Sequence, residues 1–205
     1  MQPSPAQRAA PRVTYILIAL CVLTFLATDP RSAFPLAALH PLGADFEPWQ
    51  MLSYAFLHGS PSHLAFNMLG LYMFGGDIER VFGARRFTLL YFASVITAAM
   101  AQLAFGLFTQ STVPTVGASG GLFGLLLAFA MVFPKRTIVP LIPPIPMPAW
   151  LFVTLYAGLE LYLGVTGTME GVAHFAHLGG LVGAFVLLAY WRETAAPRLD
   201  DRRPR

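Results

Sequence analysis

The stretch GASGGLFGLLLAFAMVF, residues 117–133, places small residues around a serine and then continues as a run of apolar side chains. No charged residue interrupts this run before Lys135. A run of this length and composition predicts a helix buried in a hydrophobic environment. Polar groups at bilayer depth are costly and usually functional, so Ser119 becomes the first candidate functional residue.

The composition of the whole chain indicates the same environment. Its 205 residues are 56% hydrophobic and 11% charged, whereas a soluble domain carries about 25% charged residues. Such a chain cannot cover its surface with polar groups, so we predict an all-α polytopic membrane protein. The net charge of +3, with no basic stripe interleaved with aromatics, predicts no nucleic-acid partner. The single cysteine can form no intrachain disulfide.

Six apolar segments predict six transmembrane helices. They share low charge and high hydropathy, and they cover residues 13–27, 61–76, 87–108, 119–133, 149–164 and 172–191. Several are shorter than the ~20 residues of a full span, a difference that tilt and flanking turns can accommodate. We therefore predict a cytoplasmic segment at residues 1–12, a six-helix membrane domain at residues 13–191, and a charged cytoplasmic tail at residues 192–205.

The basic residues indicate the orientation. With a cytoplasmic N-terminus, all but one of the 13 lysines and arginines fall on the cytoplasmic side, and Arg31 is the exception. This distribution follows the positive-inside rule and predicts that both termini are cytoplasmic. It also predicts a long external loop over residues 29–60, a cytoplasmic turn over residues 77–86, and an irregular, proline-rich connector over residues 135–148.

A histidine in the last apolar segment is the predicted partner of Ser119. His177 lies in AHLGG, residues 176–180, on the same helical face as Gly180. Gly120 begins a similar face of small residues directly after Ser119, and faces of this kind let two helix backbones approach closely. Docking one face on the other would bring the histidine towards the serine, which is the core of a proteolytic dyad.

Further polar groups predict a site for a developing negative charge. Ser119 is expected to be the N-cap of its helix, beside the unpaired backbone N–H groups of the first turn. The positive end of a helix favours an oxyanion. His63 and Asn67, spaced i, i+4 on the second segment, should face the protein interior. With the backbone N–H groups of Ala118 and Ser119, they form a candidate oxyanion hole.

Phe123, one turn after Ser119, is placed to stack on the imidazole of His177. Purely structural interpretations of these residues also remain open. Ser119 could be only a helix cap, the glycines could serve packing alone, and His63 and Asn67 could be an interhelical hydrogen-bond pair.

The motifs taken together resemble the rhomboid family of intramembrane serine proteases. The resemblance rests on four motifs that occur in this order along the apolar segments: HxxxN at residues 63–67, ERxxG at residues 79–83, GASG at residues 117–120, and AHxxG at residues 176–180. It covers the chain from about residue 13 to residue 191. Each motif alone is weak, but the ordered set is specific.

The resemblance implies a catalytic dyad in which Ser119 is the nucleophile and His177 the general base. His63, Asn67 and the Ser119 amide would form the oxyanion hole. The supporting residues would surround the dyad: Phe123, Gly117, Gly120 and Gly180. No metal and no cofactor is expected.

The family resemblance also implies partners and a location. The partners would be transmembrane protein substrates and the lipid bilayer. Cleavage of single-pass transmembrane segments would occur near the external face, with the fifth segment as a lateral gate. The compact six-helix form suggests a prokaryotic plasma (inner) membrane.

Some residues depart from the family pattern. The first external loop reads Trp49-Gln50 where many relatives carry Trp-Arg, so it is expected to be anchored differently. His174 lies three residues before His177, and we interpret it as a residue of the external helix end. Glu160 is the single acid inside an apolar segment. Because the family dyad has no acid member, a role for it in gating or packing is favoured over a place in a triad.

Parts of the sequence also fit four other functions. GASGG also fits the G-x-S-x-G motif of soluble hydrolases, but that motif requires a preceding strand. A metal-dependent hydrolase would use the clustered histidines, yet the sequence has no HExxH helix. A transporter built from duplicated halves is disfavoured because no internal repeat is present. A non-catalytic relative that binds membrane helices is the main alternative.

Overall fold

The computed structural model describes residues 10–43, 45–141, 143–167 and 172–195. The chain is mostly helical there, which confirms the predicted all-α class. In chain order the helices are α1 (Arg12–Ala27), α2 (Pro30–Ala37), α3 (Gln50–Ser53), α4 (Pro61–Gly70), α5 (Gly76–Thr109), α6 (Ser119–Val132), α7 (Ala149–Thr166) and α8 (His174–Ala195). A 3-10 turn, Tyr54–Phe56, follows α3, and a π turn, Leu71–Gly75, joins α4 to α5. The predicted terminal segments lie largely outside the described residues.

Three helical stretches are long and apolar enough to cross a membrane. They are Pro61–Thr109, Ala149–Thr166 and His174–Thr194. Two further helices, α1 and α6, are apolar but shorter. Helices of this length and hydropathy cannot be stably solvated by water, so the protein is an integral membrane protein.

The predicted turn over residues 77–86 is confined to a kink at Gly83. This stretch is helical apart from Gly83, which has φ 76° and ψ 161° and divides α5 into two parts. Residues with a side chain rarely adopt this conformation, so a glycine lets the chain change direction without a loop. Helix continues on both sides of the glycine, since glutamate and arginine are good helix formers.

Two connections hold more regular structure than the sequence predicted. The long loop over residues 29–60 contains α2, α3 and the 3-10 turn. The proline-rich connector, predicted to be irregular, contains strands β1 (Thr137–Ile138) and β2 (Met147–Pro148), which pair in antiparallel fashion. The prolines did not prevent this pairing because the ladder is only two residues long on each side.

Gln50 anchors the long loop from within. Its side chain is buried, and its Oε1 accepts hydrogen bonds from the backbone N–H groups of His40 and Glu47, both at 3.2 Å. Its Nε2 donates to the carbonyl of Asp45 at 3.0 Å. The neutral amide therefore satisfies three backbone groups within the loop.

Small residues allow α5, α6 and α8 to pack backbone against side chain in the centre of the bundle. A methyl group added at Gly124 in α6 would collide with Ser94 of α5. One added at Gly183 in α8 would collide with Thr97, also in α5. The three helices are therefore closer together than helices with larger residues at these contacts could be.

Glu79 fixes the beginning of α1. The first turn of a helix leaves backbone N–H groups without partners, and Pro11 at the N-cap offers no side-chain cap. The Glu79 carboxylate, from α5, accepts from the backbone N–H groups of Val13 at 2.9 Å and Thr14 at 2.8 Å. It also accepts from the Thr14 hydroxyl at 2.8 Å. A negative charge at this end of α1 additionally complements the helix dipole.

We expect Glu79→Gln to destabilise the protein by about 1–3 kcal/mol, because an amide cannot supply all these acceptors and leaves buried N–H groups unpaired. The measurement is the free energy of unfolding in detergent. Glu193→Gln is the control, since Glu193 lies exposed near the end of α8. Equal stabilities of the two variants would contradict the capping role.

Candidate active site

Ser119 is the first residue of α6, and its hydroxyl is not used as a helix cap. The N-cap is Ala118, with φ −72° and ψ −4°, and no side chain caps this helix. This corrects the prediction that Ser119 is the N-cap. Its Oγ instead lies 2.8 Å from Nε2 of His177, which is hydrogen-bonding distance.

The chain that leads to Ser119 is held by the long loop over residues 29–60. The backbone N–H and C=O groups of Thr115 pair with those of Leu39, both at 2.9 Å. Two residues on, the Gly117 N–H donates to the carbonyl of Tyr54 at 2.9 Å. These backbone bonds fix the non-helical segment immediately before the serine, where neither helix nor sheet could supply partners.

Gly117 is required by its surroundings and by its conformation. Its φ is 128°, a value that disfavours any residue with a side chain. The position that its missing Cβ would occupy lies 2.7 Å from Nε2 of His63 and 3.7 Å from Oγ of Ser119. The imidazole and the hydroxyl therefore border the same small space, which the glycine leaves open.

The predicted contact between the two small-residue faces is present. A methyl group added at Gly180 of α8 would collide with the carbonyl of Gly120 in α6. A methyl group added at Gly120 would lie 2.5 Å from the Cβ of Ala98 in α5. The distance between Ser119 and His177 is thus set by two glycines, Gly120 directly after the serine and Gly180 about one turn after the histidine.

Phe123 stacks on His177. The two rings are 4.2 Å apart between centroids and 7° from parallel. Tyr156 of α7 also contacts the phenyl group, with 5.1 Å between ring centroids. The stack fixes the plane of the imidazole, as the position of Phe123 one turn after the serine predicted.

His63 presents a donor to the site. Its Nδ1 lies 3.5 Å from the backbone N–H of Gly59, which is a donor, so Nδ1 accepts and the proton is assigned to Nε2. This is the nitrogen that faces the space beside Gly117 and Ser119. His63 can therefore donate to an oxygen atom placed there, as its predicted role in an oxyanion hole requires.

Asn67 is buried on the same face of α4, but its side chain is already engaged within that helix. Its Nδ2 donates to the carbonyl of His63 at 2.9 Å. Its Oδ1 has no hydrogen-bond partner among the residues that the structure describes. The direct contribution of Asn67 to an oxyanion hole stays a prediction.

His58 supports His63 from the loop before α4. The two rings meet edge to face, with centroids 5.1 Å apart. Burial, together with the neighbouring His63, lowers the pKa of His58 to about 4. His58 is therefore neutral at neutral pH and adds no positive charge beside the site.

A buried acid contacts His177, and the sequence interpretation did not favour a role for it beside the predicted dyad. Oε2 of Glu160, on α7, accepts a hydrogen bond from Nδ1 of His177 at 2.9 Å and another from Nδ1 of His174 at 2.6 Å. The exposed fractions of Glu160, His174 and His177 are 4%, 6% and 8%. The interpretation of His174 as a residue of the external helix end missed this burial. Two signals in the sequence could have indicated this contact. One is the i, i+3 spacing of the two histidines, and the other is the single acid in an apolar segment.

Among the residues that the structure describes, Glu160, His174 and His177 form the group that could hold a cation. Their ligand atoms lie within 4.8 Å of one another. A divalent ion there would have to displace the protons of both Nδ1 atoms, since these now form hydrogen bonds to the carboxylate.

With this geometry in place, comparison with known proteins decides the family. The family model for the Rhomboid domain matches residues 45–193. The chain belongs to the rhomboid family.

Several named rhomboid proteins share extensive similarity with this chain. Rhomboid protease GluP of Bacillus subtilis is 31% identical over 194 residues, which are 89% of this chain and 35% of that protein. Rhomboid protease GlpG of Haemophilus influenzae is 30% identical over 178 residues, 83% of this chain and 86% of that protein. Rhomboid protein 1, mitochondrial, of Saccharomyces cerevisiae is 32% identical over 152 residues, 73% of this chain and 43% of that protein. This rhomboid therefore spans less than half the length of the Bacillus and yeast relatives.

We expect Gly180→Ala to separate α6 from α8 in this rhomboid and to lower its stability by about 1–3 kcal/mol, the usual cost of overpacking. Gly158→Ala in α7 is the matched control, because nothing lies within 4 Å of its added methyl group. That substitution should be neutral or slightly stabilising, since alanine favours a helix by about 1 kcal/mol over glycine. Thermal unfolding in detergent measures both, and equal effects would refute the close contact.

Proposed function

We propose that this rhomboid is an intramembrane serine endopeptidase that cleaves the transmembrane segments of single-pass membrane proteins near the external face. The hydrogen bond of 2.8 Å between Ser119 Oγ and His177 Nε2 is the observation that carries the proposal. A hydroxyl in contact with an imidazole nitrogen is the arrangement that activates a serine as a nucleophile. The named proteases among its relatives support the same reaction.

The proposed topology has six membrane crossings with both termini in the cytoplasm. Contacts between segments predicted to be cytoplasmic support it. Arg136, after α6, donates to Asp77 at 2.6 Å, at the start of α5. Arg86 lies over the ring of Trp191, 5.4 Å from its centroid, near the end of α8. We propose a prokaryotic plasma membrane as the location, although plant and mitochondrial relatives show that the family is not confined to it.

The first chemical step is acylation of the serine. His177 removes the Ser119 proton at Nε2 while Oγ forms a bond to the substrate carbonyl carbon. The resulting oxyanion is stabilised by the backbone N–H groups at the beginning of α6 and by the Nε2–H of His63. His177 then gives its proton to the departing amine nitrogen as the C–N bond breaks, which leaves an acyl-enzyme.

The second step returns the enzyme to its starting state. Water attacks the acyl carbon and loses a proton to His177, and the C–Oγ bond then breaks as Ser119 regains a proton. The water must reach a site inside the membrane. Non-helical backbone at that depth, such as the segment before Ser119, is compatible with a water-accessible cavity.

Substrate entry is proposed beside α7. Only three residues of this helix are buried, namely Ala149, Val153 and Glu160. A helix with so little of its surface committed to the bundle is the element best suited to move aside for a transmembrane substrate.

We expect Ser119→Ala and His177→Ala each to reduce cleavage by about 10³-fold or more, because the residues of such a dyad act as a unit. Both variants should remain folded. The assay is cleavage of a single-pass transmembrane substrate in liposomes, with and without a metal chelator. Wild-type cleavage should be insensitive to the chelator. A fully active His177→Ala variant would refute the dyad. A folded wild type that neither cleaves the substrate nor reacts with a fluorophosphonate would favour a non-catalytic helix binder.

We expect His63→Ala to reduce kcat by about 10²–10³, the usual effect of removing one oxyanion donor. Asn67→Ala should reduce it less, because the Asn67 amide already donates to the His63 carbonyl. KM should change little in either variant, since the oxyanion forms only in the transition state. An Asn67→Ala effect larger than that of His63→Ala would reverse the proposed roles.

A further inference from the structure

We infer that Glu160 is a positioning residue for the dyad, and that its carboxylate holds His177 with an unprotonated Nε2 directed at Ser119. The inference rests on the proposed proteolytic function and adds to it an acid that a serine–histidine dyad lacks. His174 belongs to the same arrangement as the residue that holds the acid.

The three groups lie in sequence across one imidazole ring. Glu160 Oε2 is 2.9 Å from Nδ1 of His177, and Ser119 Oγ is 2.8 Å from Nε2 of the same ring. Carboxylate, imidazole and hydroxyl in this order are the arrangement of the triad in many serine hydrolases, where the acid orients the imidazole and does not itself take up a proton. Here the three side chains come from three membrane helices, α7, α8 and α6.

The carboxylate determines the tautomer of the base. An ionised carboxylate has no proton to donate, so Nδ1 of His177 must carry the hydrogen in their bond. The neutral imidazole then has its lone pair on Nε2, where it accepts the Ser119 proton. The opposite tautomer would turn the lone pair of Nδ1 towards the carboxylate and the hydrogen of Nε2 towards Ser119, so it could not accept the Ser119 proton.

The stack with Phe123 cannot perform this function alone. A ring that lies parallel at 4.2 Å fixes the imidazole plane. It does not distinguish the two orientations related by a 180° turn about the Cβ–Cγ bond, because both keep the stack. The hydrogen bond from Nδ1 of His177 to Glu160 selects the orientation in which Nε2 faces Ser119.

His174 keeps the acid in place. Its Nδ1 donates to Oε2 of Glu160 at 2.6 Å, the shorter of the two hydrogen bonds to that oxygen. A buried carboxylate requires such donors, since an unpaired charge at this depth is very costly. With two N–H donors the carboxylate can stay ionised beside His177, and its charge stabilises the imidazolium that forms during attack.

The test compares Glu160→Gln with wild type in two reactions of Ser119. One is cleavage of the transmembrane substrate in liposomes, and the other is the rate of labelling by a small fluorophosphonate in detergent, which requires no substrate entry. An amide can donate to Nδ1 and so stabilise the wrong tautomer. We expect kcat and the labelling rate to fall by roughly 10²–10⁴, with KM within about threefold of wild type.

Glu79→Gln is the matched control for loss of a buried carboxylate. Glu79 is 5% exposed and Glu160 4%, but Glu79 contacts α1 and not the dyad. It should lower stability while leaving the labelling rate of the folded protein unchanged. His174→Ala should reduce the labelling rate by less than Glu160→Gln, because the bond between Glu160 and His177 remains.

A spectroscopic measurement separates orientation of the base from structural support. The chain has five histidines, so ¹⁵N-histidine NMR in detergent can assign their ring nitrogens through single substitutions. Wild-type His177 should show a protonated Nδ1 and an unprotonated Nε2, and Glu160→Gln should shift this balance towards a protonated Nε2. A folded Glu160→Gln protein with the wild-type labelling rate and tautomer would overturn the inference and leave the proposed protease intact. A wild type that neither cleaves the substrate nor reacts with the fluorophosphonate would refute the proposed protease activity. The tautomer spectra would still decide whether Glu160 orients His177.

Discussion

The contact of Gly120 with Gly180 sets the geometry on which the rest of the site depends. A methyl group at position 180 would meet the carbonyl of Gly120, so α6 and α8 touch through their backbones. Hydrophobic burial does not drive helices together in lipid as it does in water, and close packing of small residues takes its place. Only at this separation can a serine side chain and an imidazole reach hydrogen-bonding distance from two different helices.

Much of the site followed from the sequence because it lies in local patterns. The faces of small residues at Gly120 and Gly180 predicted the docking of α6 on α8, and the position of Phe123 one turn after Ser119 predicted its stack on His177. The order of the four motifs along the chain then indicated the family. The apolar segments predicted the helices to within a few residues, apart from residues 77–86, which are helical on both sides of the kink at Gly83.

Glu160 could not be placed in the same way. A lone acid on α7 has no partner within its own helix, and its contact with His177 depends on the rotation of α7 about its axis and on its depth beside α8. Neither quantity is encoded in a periodic pattern, and α7 has an apolar surface on nearly all sides. The capping of α1 by Glu79 was not predicted for a related reason, since its partners, Val13 and Thr14, lie far away in the sequence.

Two buried carboxylates thus play parallel parts at two helix contacts. Glu79 joins α5 to the beginning of α1, and Glu160 joins α7 to α8. In each case one acid satisfies several N–H donors that would otherwise be buried without acceptors, so the charge is compensated and the helix is held in register.

The attachment of α7 through Glu160 has a consequence for the timing of the reaction cycle. Under the proposed entry route, displacement of α7 removes the acceptor from Nδ1 of His177 and from Nδ1 of His174 at once. The bundle therefore cannot be open on that side and fully prepared for proton transfer at the same moment. Admission of a substrate and attack on it become successive events, and a transmembrane helix that enters and leaves before α7 returns is not cut.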